Sequence, residues 1–333
     1  MNFSLKQILL TIGVGILVVL LVLGGLGFLI INSISGGKEV TQEGIAVINI
    51  SGPITSGSSG GVLGRVGVGS RSVMKQINQA KDDKKVKAIL LRVNSPGGSS
   101  AASDEIYREL KKFKATEKPI VVSMGDVAAS GGYYISAPAD QIYADPSTIT
   151  GSIGVIMQFN NLQELYNKIG VKPVTFTSGP HKDMGSPSRE LTSKEEKILQ
   201  NMIDSVYQEF VDAVVEGRGL SEDKVRKLAD GRIYTGRQAK KLGLVDKLGT
   251  FYDAVDKAAN LAGMEGEPNL IYYNQSSPIK RLLSSASKLI TYMFFDKKVG
   301  YNTNMNTEKS QLMYYKLLEQ REANYLEGLQ LQY

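Results

Sequence analysis

The chain of 333 residues contains no cysteine. Disulfides, thiolate metal sites and cysteine nucleophiles are therefore excluded. It contains one histidine, His181, which argues against a nitrogen-rich zinc site and leaves one candidate for the imidazole that usually activates a serine. It also lacks a basic run interleaved with aromatics, and a formal net charge of +6 is mild for this length. A nucleic-acid groove is not indicated; the charge suits the neighbourhood of anionic lipid instead. Hydrophobic residues make up 42 % of the chain, enough for one large domain or two small ones with a proper core.

Residues 8–31 carry no charge and are mostly aliphatic. As a helix this stretch extends about 36 Å, against about 30 Å of hydrocarbon, so it can span a bilayer. No small-residue cleavage site precedes the polar Asn32, and the segment reads as an uncleaved anchor. Lys6 and Lys38 flank it almost symmetrically, so charge orients it only weakly. The organisation expected is a cytoplasmic stub and anchor over 1–31, a polar tether over 32–45, a catalytic α/β domain over 46–262 and a C-terminal extension over 263–333. Residues 56–70 are so rich in Gly and Ser that a mobile loop is expected there.

Within the domain, strand patterns at 45–50, 88–93, 120–124, 141–144 and 174–177 alternate with helical patterns at about 72–83, 101–114 and 162–168. That alternation belongs to strands connected by helical crossovers. Thr192 and Glu195 form a capping box that opens a long helix to about residue 216, ended by Gly217 and Gly219. Ser221 and Thr235 open shorter helices, the second stopped by Gly243.

Three loops at strand ends carry the chemistry. Val-Asn-Ser-Pro-Gly-Gly (93–98) can turn sharply and present backbone N–H groups, the donors a tetrahedral acyl intermediate needs. Met-Gly-Asp-Val-Ala-Ala-Ser-Gly-Gly (124–132) sets Ser130 at a helix start, where free N–H groups favour developing negative charge. Ser-Gly-Pro-His-Lys-Asp (178–183) brings Lys182. Lysine serves as a base only when neutral, and at its ordinary pKa about one in a thousand is neutral at pH 7.4. Burial must lower that value; a hydroxyl can hold the amine without restoring its charge, whereas a carboxylate would stabilise the ammonium. Ser152, in Thr-Gly-Ser-Ile-Gly (150–154), is the candidate hydroxyl, and Asp183 should point away.

These four motifs, in this order, resemble the signal peptide peptidase A family of bacterial membrane-anchored serine peptidases, in its single-catalytic-unit form. The resemblance covers about 46–262 and implies Ser130 as nucleophile, Lys182 as base and Ser152 as the residue orienting Lys182. It implies oxyanion donors at Gly131 and at Gly97 or Gly98. It further implies the caseinolytic-protease and crotonase spiral of ββα units and a ring-like homo-oligomer, an octamer fitting the single-unit form, with active sites near subunit interfaces. The implied location is the extracytoplasmic face of the cell membrane, and the implied substrates are remnant signal peptides. No cofactor, ATP or metal is implied.

Competing readings are a crotonase-type acyl-CoA enzyme, which shares the oxyanion arrangement but needs no Ser-Lys pair, and a noncatalytic membrane scaffold. His181 competes with Lys182 as base. Tyr133 and Tyr134 read as helix packing, and Asn94 and Asp126 as loop supports. Residues 279–294 place apolar side chains on one helical stripe, expected either to pack on the protein or to lie on the lipid surface.

Overall fold

A computed structural model describes residues 43–57 and 67–273. The expected anchor, the centre of the Gly/Ser-rich loop and the 279–294 stripe lie outside them. Among the described residues no helix is long and apolar enough to cross a membrane.

The described residues from Gly44 to Tyr273 form one unit around a mainly parallel sheet. Strands β1 (Gly44–Ser51), β4 (Val86–Ser95), β5 (Ile120–Ala129) and β6 (Gln141–Ala144) lie side by side, with β10 (Asn269–Ile271) outside β1 and β9 (Lys247–Leu248) outside β6. The short strands β2 (Ile54–Thr55) and β3 (Val68–Gly69) pair separately. Side chains alternate with the period of two that a pleated strand imposes. Ile45 and Val47 of β1, Ala88 and Leu90 of β4 and Val121 of β5 face α8 (Phe251–Leu261), which buries Ala254, Val255, Ala258 and Ala259 against them. Their neighbours Ala46, Ile48, Ile89, Leu91, Ile120 and Val122 face the larger core on the opposite side. Burial on both faces explains why these strands read as continuous apolar runs.

The larger core takes side chains from α1 (Ser70–Asp82), α2 (Ser100–Lys114), α3 (Gly131–Ser136) and α5 (Ser193–Arg218). Helix α2 buries Ile106, Leu110 and Phe113 at helical spacing and begins at Ser99, whose side chain accepts from the N–H of Ala102. The capping box at Thr192 is present, with both reciprocal bonds. Boxes at Thr235 and Thr250 likewise open α7 (Gly236–Leu242) and α8. Ser221 stands at the start of α6 (Glu222–Leu228) without a side-chain cap bond, and α4 (Gln163–Ile169) closes at Gly170 in the left-handed conformation.

Two sequence expectations need correction. Residues 174–177 form no strand: among the described residues the Val-Thr-Phe-Thr alternation has no neighbouring strand to pair with, and Val174 and Phe176 are 76 % and 94 % exposed. Strand preference is realised only where a pleated neighbour covers the side chains. Gly217 does not end α5, which runs to Arg218 and closes at Gly219 in the left-handed conformation. Gly217 instead allows close packing, because a Cβ there would lie 2.2 Å from the carbonyl oxygen of Ala137.

One strand aims the site. β5 pairs with β6 through Val121–Ser123, then shifts register against β4 and pairs with β7 (Ile149–Gly151) through Val127–Ala129. The change of partner occurs at Gly125, where a Cβ would meet the Asn94 side chain at 2.9 Å. Asn94 also braces the bend, its Oδ1 accepting from the N–H of Val127 at 3.1 Å and its Nδ2 donating to Asp126 at 3.2 Å. Buried Thr148 and Thr150 fasten the second half, their hydroxyls donating to Gly125 O and Ala128 O, both at 2.7 Å. Antiparallel β8 (Ile233–Thr235) completes this arm by pairing with β7.

Helix propensity alone favours alanine over glycine inside a helix by about 0.5–1 kcal/mol. At Gly217 the overlap with Ala137 reverses the sign. Gly217→Ala is expected to lower stability by about 1–3 kcal/mol, read as a fall in the urea midpoint; a rise would refute the packing account.

Candidate active site

Ser130 follows the last residue of β5 and precedes the first turn of α3. Its backbone sits at φ 51°, ψ −122°, and its N–H donates to Gly151 O at 2.8 Å. A non-glycine residue there is strained, typically by about 1–3 kcal/mol, and persists because the surroundings over-determine it. Although Ser130 occupies a helix start, its side chain makes no cap hydrogen bond. The hydroxyl is left to the cleft.

The 93–98 loop packs directly on this turn. Gly97 (φ 104°) and Gly98 (φ 147°) both need left-handed backbone. A Cβ on Gly97 would lie 2.7 Å from Gly131 N and 2.8 Å from Ser130 Cβ, and one on Gly98 would lie 2.1 Å from Ile54 O. The two glycines differ in what their N–H groups do. Gly97 donates to Ser95 Oγ at 3.1 Å, whereas among the described residues no acceptor takes the N–H of Gly98 or of Gly131. Gly98 N lies 3.4 Å from the Cβ position of Gly131, so two unclaimed donors flank Ser130. That is the arrangement a developing oxyanion requires.

Ser130, Ser152, Gly97 and Gly98 line one cavity of about 670 Å³. Ser152, at the end of β7, also has positive φ (49°), and its N–H donates to Arg232 O at 2.9 Å. A second cavity of about 290 Å³ shares Ser130 and Gly98, adds Gly131, and is walled by Ala101, Tyr134, Val155, Val206 and Phe210. Tyr134 packs edge-on against Phe210 at 5.0 Å, while its hydroxyl donates to Asp104 at 3.2 Å. Burial pushes its phenol well above the ordinary range. Tyr133 is buried and donates to Leu244 O at 2.9 Å; it is a packing residue of α3, whereas Tyr134 both packs and lines the smaller cavity. Sequence reasoning did not single out Ser95, Ser103 or Asp104. Ser103 Oγ would lie 2.4 Å from a Cβ on Gly131, so any larger residue after Ser130 must displace that hydroxyl from its bond to Ser99 O.

Lys182 stands apart within one chain: it lines neither cavity and its side chain is exposed. The loop that carries it is built from successive turns, with Lys182 N donating to Gly179 O and Ser186 N to Asp183 O. Asp183 points into a cluster with Arg189 and Glu195. Arg189 Nη2 and Nε reach Asp183 at 2.8 and 2.9 Å, while Nη2 and Nη1 reach Glu195 at 2.7 and 2.9 Å. Hydrogen bonds from Arg189 hold both carboxylates below the usual range, and both acids raise the guanidinium in turn. His181 Nδ1 lies 3.7 Å from Glu195 Oε1, so the imidazole is turned to the start of α5. Among the described residues no cluster of three or more His, Asp or Glu could hold a metal.

Replacing Ser130 tests the strain. Ser130→Gly and Ser130→Ala both remove the alcohol, but glycine reaches φ 51° without a Cβ clash. Ser130→Gly is expected to be the more stable by about 1 kcal/mol after its larger unfolded-state entropy is counted. Equal urea midpoints would mean the turn is relaxed.

Comparison with known proteins fits this geometry. Residues 112–265 match the profile of Peptidase family S49, and residues 68–148 match that of Clp protease. The chain is 43 % identical over 256 residues to a protein of Synechocystis sp. named as a protease, spanning 76 % of this chain and 88 % of that one. It is 40 % identical over 230 residues to an Enterococcus faecium protein named as a signal peptide peptidase SppA, spanning 66 % and 67 % of the two chains. It is also 43 % identical over 235 residues to Protease 4 of Salmonella typhi, spanning 71 % and 37 %. With a Clp-like α/β domain built round a half-buried, strained serine, the chain belongs to peptidase family S49, alongside the SppA peptidases, and is a serine peptidase.

Proposed function

We propose that the protein is a membrane-anchored endopeptidase that clears remnant signal peptides with a Ser130–Lys182 dyad. The observation that carries the reading is the strained turn at Ser130, set beside two backbone donors that no acceptor among the described residues takes. Neutral Lys182 Nζ takes the Ser130 proton as Oγ attacks the scissile carbonyl. The N–H groups of Gly131 and Gly98 receive the oxyanion, with Gly97 supporting the turn through its bond to Ser95. The lysine ammonium then gives its proton to the leaving amine, and water, activated by the same amine, hydrolyses the acyl-enzyme. Ser152 orients the amine from the cavity it shares with Ser130.

The base must be desolvated to be neutral, and in one chain Lys182 is exposed. Assembly supplies the cover. The segment leading to the lysine carries Ile156, Leu165, Ile169, Val174 and Phe176, all exposed, and α4 buries none of its residues. An apolar surface of this extent marks an interaction site. A homo-oligomeric ring, an octamer in this reading, has each lysine-bearing segment against a neighbouring copy, with the active sites at the subunit interfaces. In it the domain follows the spiral of ββα units of the caseinolytic-protease and crotonase superfamily.

The substrate follows from the walls beside Ser130. The smaller cavity offers Ala101, Tyr134, Val155 and Phe210 to a side chain next to the scissile bond, which suits the aliphatic cores of signal peptides. The apolar stretch at residues 8–31 would hold the enzyme in the bilayer with its domain on the extracytoplasmic side. An acyl-CoA enzyme or a noncatalytic scaffold would leave the strained alcohol without a purpose.

Lys182→Ala and Ser130→Ala are each expected to reduce peptide turnover by at least about 10³-fold, with His181→Ala retaining most of it. Fluorophosphonate should label Ser130 in the parent chain. Activity that survives Lys182→Ala but not His181→Ala assigns the base to the histidine and removes the dyad. A second expectation concerns assembly: Val174→Lys combined with Phe176→Lys should reduce the particle mass in detergent and turnover together. Unchanged mass would place the interface elsewhere.

A further inference from the structure

We propose that Arg189 is a positioning residue for Lys182, gripping the adjacent Asp183 carboxylate so that it cannot pair with the lysine and tying the lysine loop to the first turn of α5. This inference rests on the reading of Lys182 as the base. It names a part of the site that neither the motifs nor the lysine itself points to.

Arg189 engages all of its donors. Nε and one Nη2 N–H go to Asp183, the other Nη2 N–H and one Nη1 N–H go to Glu195, and the remaining Nη1 N–H goes to Glu190 O at 2.9 Å. A guanidinium has five N–H groups in a rigid fork, and here five acceptors meet them. Glu195 is fixed independently: its Oε2 accepts from the N–H and the hydroxyl of Thr192 at 3.0 and 3.1 Å, and its side chain is 1 % exposed. The chain of contacts therefore runs from a buried carboxylate at the start of α5, through one guanidinium, to the carboxylate next to Lys182. Lysine could not replace this fork, because an ammonium is a point charge without bidentate geometry.

The electrostatic consequence concerns the neighbour. Asp183 follows Lys182 in the chain, and an acid that close would favour the ammonium form and deprive the site of its base. The other charged groups facing the cluster are His181, 3.7 Å from Glu195, and Glu190 and Glu196, which line a surface cavity with Arg189. All but the histidine are acidic. Without Arg189 no other cation of this set holds Asp183, and Lys182 is the next one along the chain.

The test is the pH profile of peptide turnover by the full-length chain in detergent. In Arg189→Gln the acid limb of kcat/KM is expected to move to higher pH by about one unit, so that turnover on the limb falls about tenfold while the alkaline plateau recovers. Adding Asp183→Asn to that variant should return the limb to its parental position. Arg189→Lys, which keeps one cation, carries the test if Arg189→Gln does not fold, with a smaller shift in the same direction that Asp183→Asn again removes. A uniform loss of turnover at every pH, with the limb unmoved, would mean that Arg189 merely stabilises the loop and would overturn the proposal. Lys182→Ala separates the two ideas. Retained activity with an intact limb sinks the lysine as base, whereas an inactive Lys182→Ala beside an unmoved limb in the arginine variants sinks only the role of Arg189.

Discussion

The site depends on a backbone constraint at one residue. A serine with positive φ ends β5 at an angle that turns its alcohol outward, and a left-handed serine survives only where neighbours leave the chain no other course. Gly97 presses against Ser130 and Gly131, Gly98 against Ile54, and Gly132 would bring a Cβ within 2.7 Å of Ser95 O. Three turns are thus interlocked without side chains between them. The closeness that forces the strain also brings two amide donors to one place, so the strained alcohol and the two free N–H groups beside it arise from one packing arrangement.

The sheet makes this arrangement possible. β5 belongs to the buried core for its first half and leaves β6 for β7 in its second, carrying the chain end to where β7 delivers Ser152. Two serines with positive φ, Ser130 and Ser152, are therefore placed by one pair of hydrogen-bonded strands, Ala129 opposite Gly151. The lysine comes from a different sort of structure. Its loop has no strand, little burial and one ionic cluster to define it.

Much of this was legible in the sequence because it rests on local chemistry. Apolar runs bounded by turn residues located β1, β4, β5 and β6, and the Thr192 box located the start of α5 to the residue. The serine and glycine motifs pointed to the cleft. What could not be read depends on contacts distant along the chain. The continuation of β5 past Met124 lies in Gly-Asp-Val, an unpromising strand sequence that β7 and the Asn94 side chain hold in place beyond the bend. The difference between Gly97 and Gly98 is set by Ser95 Oγ, and the use of Gly217 by the carbonyl of Ala137. The strand expected at 174–177 failed for the complementary reason: alternation describes a surface ready for a partner, and the described chain provides none.

The contrast between β5 and the lysine loop bears on how the enzyme wears out. The first half of β5 is surrounded by core on both faces, so opening it exposes apolar surface from the whole sheet, whereas the loop from 178 to 190 can detach at the expense of a few polar contacts. Regions with little buried apolar area open first on warming. Heat therefore acts on such a molecule in two stages, first loosening the loop that carries Lys182 and only later dissolving the scaffold under Ser130.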